Sequence, residues 1–230
     1  MNMSSKGKVD MAYTSLLTSF KTAAQGAGGF SVRLANARGF VSRPISSHCL
    51  VVESALYLPE WKYRSSATGK RINILVRGSE SFDFQLGLIK KSTIQVMYLE
   101  MDDSDNAVPI LALHYDFEDP VLPAHPCFHV QFGVSDVTSE ECRSIGLRAS
   151  IRGPREPFYP SIRIPTPHMC LSGVLVGIAA DHLPNAFANN FIGTVRSNPL
   201  KDFVTSCAVL AENHTGHGGH QWHPHLWYQV

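Results

Sequence analysis

The chain has 230 residues, 20 Lys and Arg against 19 Asp and Glu, and a formal net charge of +1. Charged residues make up 17% and apolar residues 44%, which excludes a disordered or acidic-tail protein and leaves enough material for a hydrophobic core. Near-neutrality argues against a strongly basic nucleic-acid binder and leaves only a local patch for such contacts. Eleven histidines are the unusual count.

The cysteines, Cys49, Cys127, Cys142, Cys170 and Cys207, are scattered and form no CxxC pair. Such a set does not build a disulfide framework and predicts a reducing, cytoplasmic setting. Met1 to Asp10 is polar, without the apolar stretch of a secretory signal. No apolar run reaches the roughly 18 residues of a membrane helix, so no membrane partner is expected. The longest, Met169 to Ala180, holds two glycines and a serine and reads as a buried core helix.

In chain order, Asp10 to Ala24 is expected to be helical, with Met11, Leu16, Leu17, Phe20 and Ala24 at roughly helical spacing and GAGG at 26–29 ending the pattern. Phe30 to Leu34 and His48 to Leu58 have strand character. Glu60 to Lys70 reads as an exposed loop. Ile72 to Val76 is a short apolar run that Arg77-Gly78-Ser79-Glu80 breaks. Thr93 to Met101 and Pro109 to Phe117 read as strands joined by the turn cluster Asp102 to Asn106, and Cys127 to Phe132 as a third strand. Ser139 to Pro160 is irregular and Pro/Arg-rich, the best candidate for a mobile loop or partner contact. Ile162 to Ile164 is a short strand. Residues 169–192 are expected to be mainly helical, broken near Pro184, and Asn198-Pro199 to start a last helix reaching about Glu212. The fold class is therefore α+β: an antiparallel meander with helices packed on one face. Residues 1–212 form one domain and 213–230 a histidine- and aromatic-rich tail.

Side chains alternate across a strand, so parity sorts them into faces. Leu111, Leu113, Tyr115 and Phe117 share one face, and His114 and Asp116 the other. Phe128, Val130 and Phe132 share one face, and His129 and Gln131 the other. If both apolar sets enter one core, then His114, Asp116, His129 and Gln131 gather opposite it. Such a group can bind a divalent metal (Zn or Mn) through His114, Asp116 and His129, or carry out acid–base chemistry with the carboxylate fixing a histidine tautomer. A solvated sheet face would show the same grouping. In SIRIPTP, Arg163 stands opposite in parity to Ile162 and Ile164, where it can reach an anion such as phosphate. The catalytic candidates are thus His114, Asp116, His129 and Arg163.

The succession Leu113-His114-Tyr115-Asp116, His125-Pro126-Cys127-Phe128-His129-Val130-Gln131 and Arg163-Ile164-Pro165-Thr166-Pro167 resembles an uncharacterised bacterial family, the DUF2290-type proteins. That pattern has an aromatic-Asp segment, a His-Pro-x-x-His strand and an Arg-Ile-Pro segment. The likeness covers about fifty residues in the middle of the chain. It implies that the three segments belong to one site or one core, in a bacterial intracellular protein of a multi-gene accessory or defence system. It names no reaction.

The tail places His214, His217, His220, His223 and His225 on a Gly-rich chain, where several imidazoles can converge on a metal such as Zn, Ni or Cu. Trp222, Leu226, Trp227 and Tyr228 favour burial against the body or a partner. GAGG follows a helix and not a strand, the wrong context for a dinucleotide fingerprint, and no Walker A, GxSxG or EF-hand pattern occurs. Cys127 between two histidines is a minor candidate nucleophile, and Arg143, Arg148, Arg152 and Arg155 a loose basic stretch for phosphate backbones. Two functions compete. One is a metal- or histidine-dependent hydrolase, phosphoesterase-like. The other is a non-catalytic subunit of a multi-protein complex acting through protein or nucleic-acid contacts.

Overall fold

The computed structural model describes residues 5–62, 71–101, 107–118, 129–132, 163–165 and 170–205. The first element, α1 (Ser5–Gly26), extends beyond the expected span at both ends. Val9, Tyr13, Leu16, Leu17, Phe20 and Ala24 are all buried, and their spacing of three and four puts them on one stripe. Met11, expected on that stripe, is 54% exposed.

The sheet follows as β1 (Arg33–Leu34), β2 (Phe40–Pro44), β3 (Cys49–Lys62), β4 (Arg71–Asp83), β5 (Leu88–Met101), β6 (Ala107–Glu118), β7 (His129–Phe132) and β8 (Arg163–Pro165). From β3 to β8 each strand pairs antiparallel with the next, the expected meander. β1 and β2 both pair with β3. The chain closes with α2 (Leu171–His182), α3 (Asn185–Ser197), a 3-10 turn (Pro199–Asp202) and β9 (Val204–Thr205), which pairs parallel with the start of β5. Pro184 stands between α2 and α3, where its missing N–H costs no helical hydrogen bond. The fold is α+β.

Three expectations are corrected. Arg77-Gly78-Ser79-Glu80 does not break a strand: β4 runs straight through it. Arg77 and Ser79 share one side of the sheet, while buried Glu80 accepts from the hydroxyls of Tyr13 and Ser92 on the other. Glu60 to Lys62 is not loop but the end of β3. A bulge between Leu58 and Trp61, with Glu60 at a positive φ of 56°, reverses the alternation and turns Trp61 inward to full burial. The bulge is held by Asn73 Oδ1, which accepts from the Tyr57 hydroxyl and the Glu60 N–H. The last helix stops at Asp202, and Val204–Thr205 is strand. Leu111 keeps the face of Leu113, Tyr115 and Phe117, as expected, where it stands opposite Tyr98 and is 37% exposed.

One apolar cluster joins α1, α2 and α3 to Leu50, Val52, Leu56 and Leu58 of β3, Ile72, Ile74 and Val76 of β4, and Ile94, Val96 and Tyr98 of β5. At its centre Trp61 stacks on Phe20, meets Phe30 and His182 edge-on, and donates its indole N–H to the Ser31 carbonyl at 2.7 Å. The other side of the same strands carries a smaller apolar cluster, Tyr57, Leu75, Met97, Leu99 and Ala107, and beside it a run of polar residues.

Candidate polar face

The register fixes which residues of that other side stand abreast. Ala55, Arg77, Gln95, His114, Gln131 and Arg163 are successive partners from β3 to β8. Two residues along the strands, Glu53, Ser79, Thr93, Asp116, His129 and Pro165 form the neighbouring row. Direct partners lie on the same side of a sheet, and adjacent strands are about 4.8 Å apart. His114 and Asp116 thus sit on one side, Gln131 opposite His114 and His129 opposite Asp116. Arg163 stands two strands from His114, roughly 10 Å, and Arg77 stands the same distance away in the other direction.

The His114 and Asp116 side chains are half-buried. His129, Gln131 and Arg163 are placed by the backbone register of β7 and β8. Within this face, His114 Nε2 and Gln95 Oε1 are both buried, and among the described residues neither has a hydrogen-bond partner. They belong to directly opposed residues. A buried polar group without a partner costs about 1–3 kcal/mol, so these two opposed atoms are the least satisfied point of the face among the described residues.

Next to this pair the face deepens into a groove of about 420 Å³, lined in part by Asn36, Val41, Glu53, Arg77, Thr93 and Gln95. Its rim is the turn before β2. There Asn36 Oδ1 accepts from the N–H groups of Arg38 and Gly39, and Gly39 adopts a φ of 76°. A Cβ at Gly39 would lie 2.9 Å from the side chains of both Leu17 and Leu34, so glycine is required there for backbone and space alike. On the covered side, burial and the nearby Asp181 carboxylate push the Tyr115 phenol up from its ordinary value, so it stays neutral.

Arg77, Gln95, Thr93 and Ser79 did not emerge as site residues from the sequence, because the first and last fell in a presumed break. The signal was present in the parity of β4. Residues 119–128, 133–162 and 206–230 lie outside the described residues, and with them His125, Cys127, the Arg-rich stretch and the tail histidines His217, His220, His223 and His225. Among the described residues no helix is long and apolar enough to cross a membrane. No family model, curated protein or solved structure matches the chain. The likeness to the DUF2290-type proteins therefore rests on its motif residues alone.

Proposed function

We propose that the polar face is the working surface of a cytoplasmic, histidine-dependent hydrolase acting on phosphoesters. The observation that carries this reading is the buried His114 Nε2 beside the buried Gln95 Oε1, neither with a partner among the described residues. An imidazole nitrogen with its lone pair free can take up a proton, which is what activating a water requires. In this reading His114 takes the proton of the attacking water while Gln95 orients that water. Arg77 and Arg163, flanking in the same row, hold the anionic oxygens. Asp116 and His129 form the second row, either fixing a tautomer or, with His114, ligating a divalent metal such as Zn or Mn that would polarise the phosphoryl oxygen. The free thiols of Cys49 and Cys170 agree with a reducing compartment.

The test uses purified full chain with chromogenic phosphomonoester and phosphodiester substrates, with and without added Mn or Zn. His114→Ala should fold normally and lose about 10²–10⁴-fold in rate, the usual contribution of a general base. Absence of turnover by the unmodified chain, or a folded and fully active His114→Ala variant, would remove the hydrolase reading in favour of a non-catalytic subunit.

A further inference from the structure

A second group of chemically capable side chains lies at the far end of the sheet. Cys49 opens β3 and Asp83 closes β4, and the two are direct register partners. His48 precedes Cys49 in the β2–β3 turn. One donor atom from each of His48, Cys49 and Asp83 lies within 4.8 Å of the others. Along β3 this place is six residues from the row of His114, and it is three strands across, on the order of 25 Å in all. It is independent of the hydrolase reading.

The backbone holds the three in place. The Phe84 N–H donates to the His48 carbonyl at 2.8 Å, and the Cys49 N–H to the Ser46 Oγ at 3.1 Å. Asp83 is buried, 6% exposed, and its Oδ1 accepts from the N–H groups of Gln85 and Leu86. Among the described residues Asp83 enters no ion pair. A buried carboxylate is costly unless a cation compensates it. A thiol and an imidazole at the same point are poor partners for Lys or Arg but good ligands for a borderline-soft divalent ion.

We propose that His48, Cys49 and Asp83 bind a zinc-class divalent cation, with a fourth position open to water or another donor. Binding forms one metal–sulfur bond as the Cys49 thiol releases its proton to solvent, and affinity therefore rises with pH. Neither sulfur nor metal changes oxidation state.

The probe is cobalt(II) alone, added to metal-stripped full chain, followed by competition with zinc. The expected result is a thiolate-to-cobalt charge-transfer band with tetrahedral visible bands, displaced by zinc. The band should be lost in Cys49→Ser and kept in Cys170→Ser and Cys127→Ser. It should survive alanine at His220 and His223, because residues 213–230 contain no cysteine and cannot produce a thiolate band. Asp83→Asn keeps the Oδ1 acceptor of the turn but removes the charge, and should weaken cobalt binding at least about tenfold in a folded protein. The proposal is overturned if the unmodified chain gives no thiolate band, if the band persists in Cys49→Ser, or if folded Asp83→Asn binds cobalt as tightly as before.

Discussion

The buried carboxyl of Glu80 provides a sharp test of how the helices are tied to the sheet. Glu80 is 3% exposed, and its partners are the Tyr13 hydroxyl from α1, the Ser92 hydroxyl from β5 at 3.4 Å, and the Leu171 N–H at the start of α2. Burial raises its pKa above the ordinary carboxyl value, while these three bonds pull it back down. Tyr13→Phe removes one of them and keeps the ring contacts with Phe40 and Phe82. A hydrogen bond to an ionised group contributes about 1.5–3 kcal/mol and a neutral one about 1, so the loss should be larger where Glu80 is charged. The sign follows from linkage. A carboxyl with a raised folded pKa contributes stability below its unfolded value, and that contribution is lost as pH rises through the folded value. Tyr13→Phe raises the folded value further and moves this loss to higher pH. Urea unfolding of both proteins at one pH below and one pH above the titration of Glu80 should therefore show a cost of about 1 kcal/mol at the lower pH and about 2–3 at the higher. Glu80→Gln should flatten the pH dependence, and in that background Tyr13→Phe should cost nearly the same at both pH values. A Tyr13→Phe cost below about 0.5 kcal/mol at both pH values would refute the reasoning, because a buried partner would then have been removed without consequence.

Trp61 and His182 give further expectations. Trp61→Ala should destabilise by about 3–5 kcal/mol, measured by chemical denaturation followed by circular dichroism, since it removes the ring on which Phe20, Phe30 and His182 converge. Trp61→Phe should cost less, mainly the bond to the Ser31 carbonyl. His182 is buried, donates from Nδ1 to the Lys62 carbonyl at 2.9 Å, and has its pKa lowered by burial. Its contribution to stability is present above the ordinary histidine pKa and is lost as pH falls through the folded value, at no more than about 1.4 kcal/mol per pH unit. Denaturation midpoints of His182→Gln between pH 7.5 and pH 5 should show a shallower decline than those of the unmodified chain, and an unchanged slope would contradict the assignment.

Local patterns that satisfy both propensity and burial were readable from the sequence. α1 declared itself through apolar spacing, and the centre of the sheet through alternation on either side of a turn cluster. The misreadings share a cause: the decisive interaction is remote in sequence. Glu80 looks like a surface charge until Tyr13, 67 residues away, supplies a donor. Gly78 looks like a breaker, but a Cβ there would lie 2.7 Å from the Ser54 Oγ on the adjoining strand, so the glycine permits close strand packing. Trp61 sits in a polar stretch because a bulge, which parity arguments do not anticipate, reverses the alternation beside it. For the candidate site, alternation put His114 and Asp116 on one side, but Arg77 and Gln95 joined them only once register was known. The cluster of His48, Cys49 and Asp83 was invisible because its members are up to 35 positions apart and meet through β3–β4 pairing.

The two-residue strand β9 also has a kinetic consequence. By pairing with Leu88 and Ile89 it moors the chain beside the β4–β5 turn, and Leu88 is itself the partner of Asp83. The β5–β9 pairing joins residues 116 positions apart through only two residue pairs, so the large closure entropy is opposed by little contact and β9 should be among the first strands to open by local fluctuation.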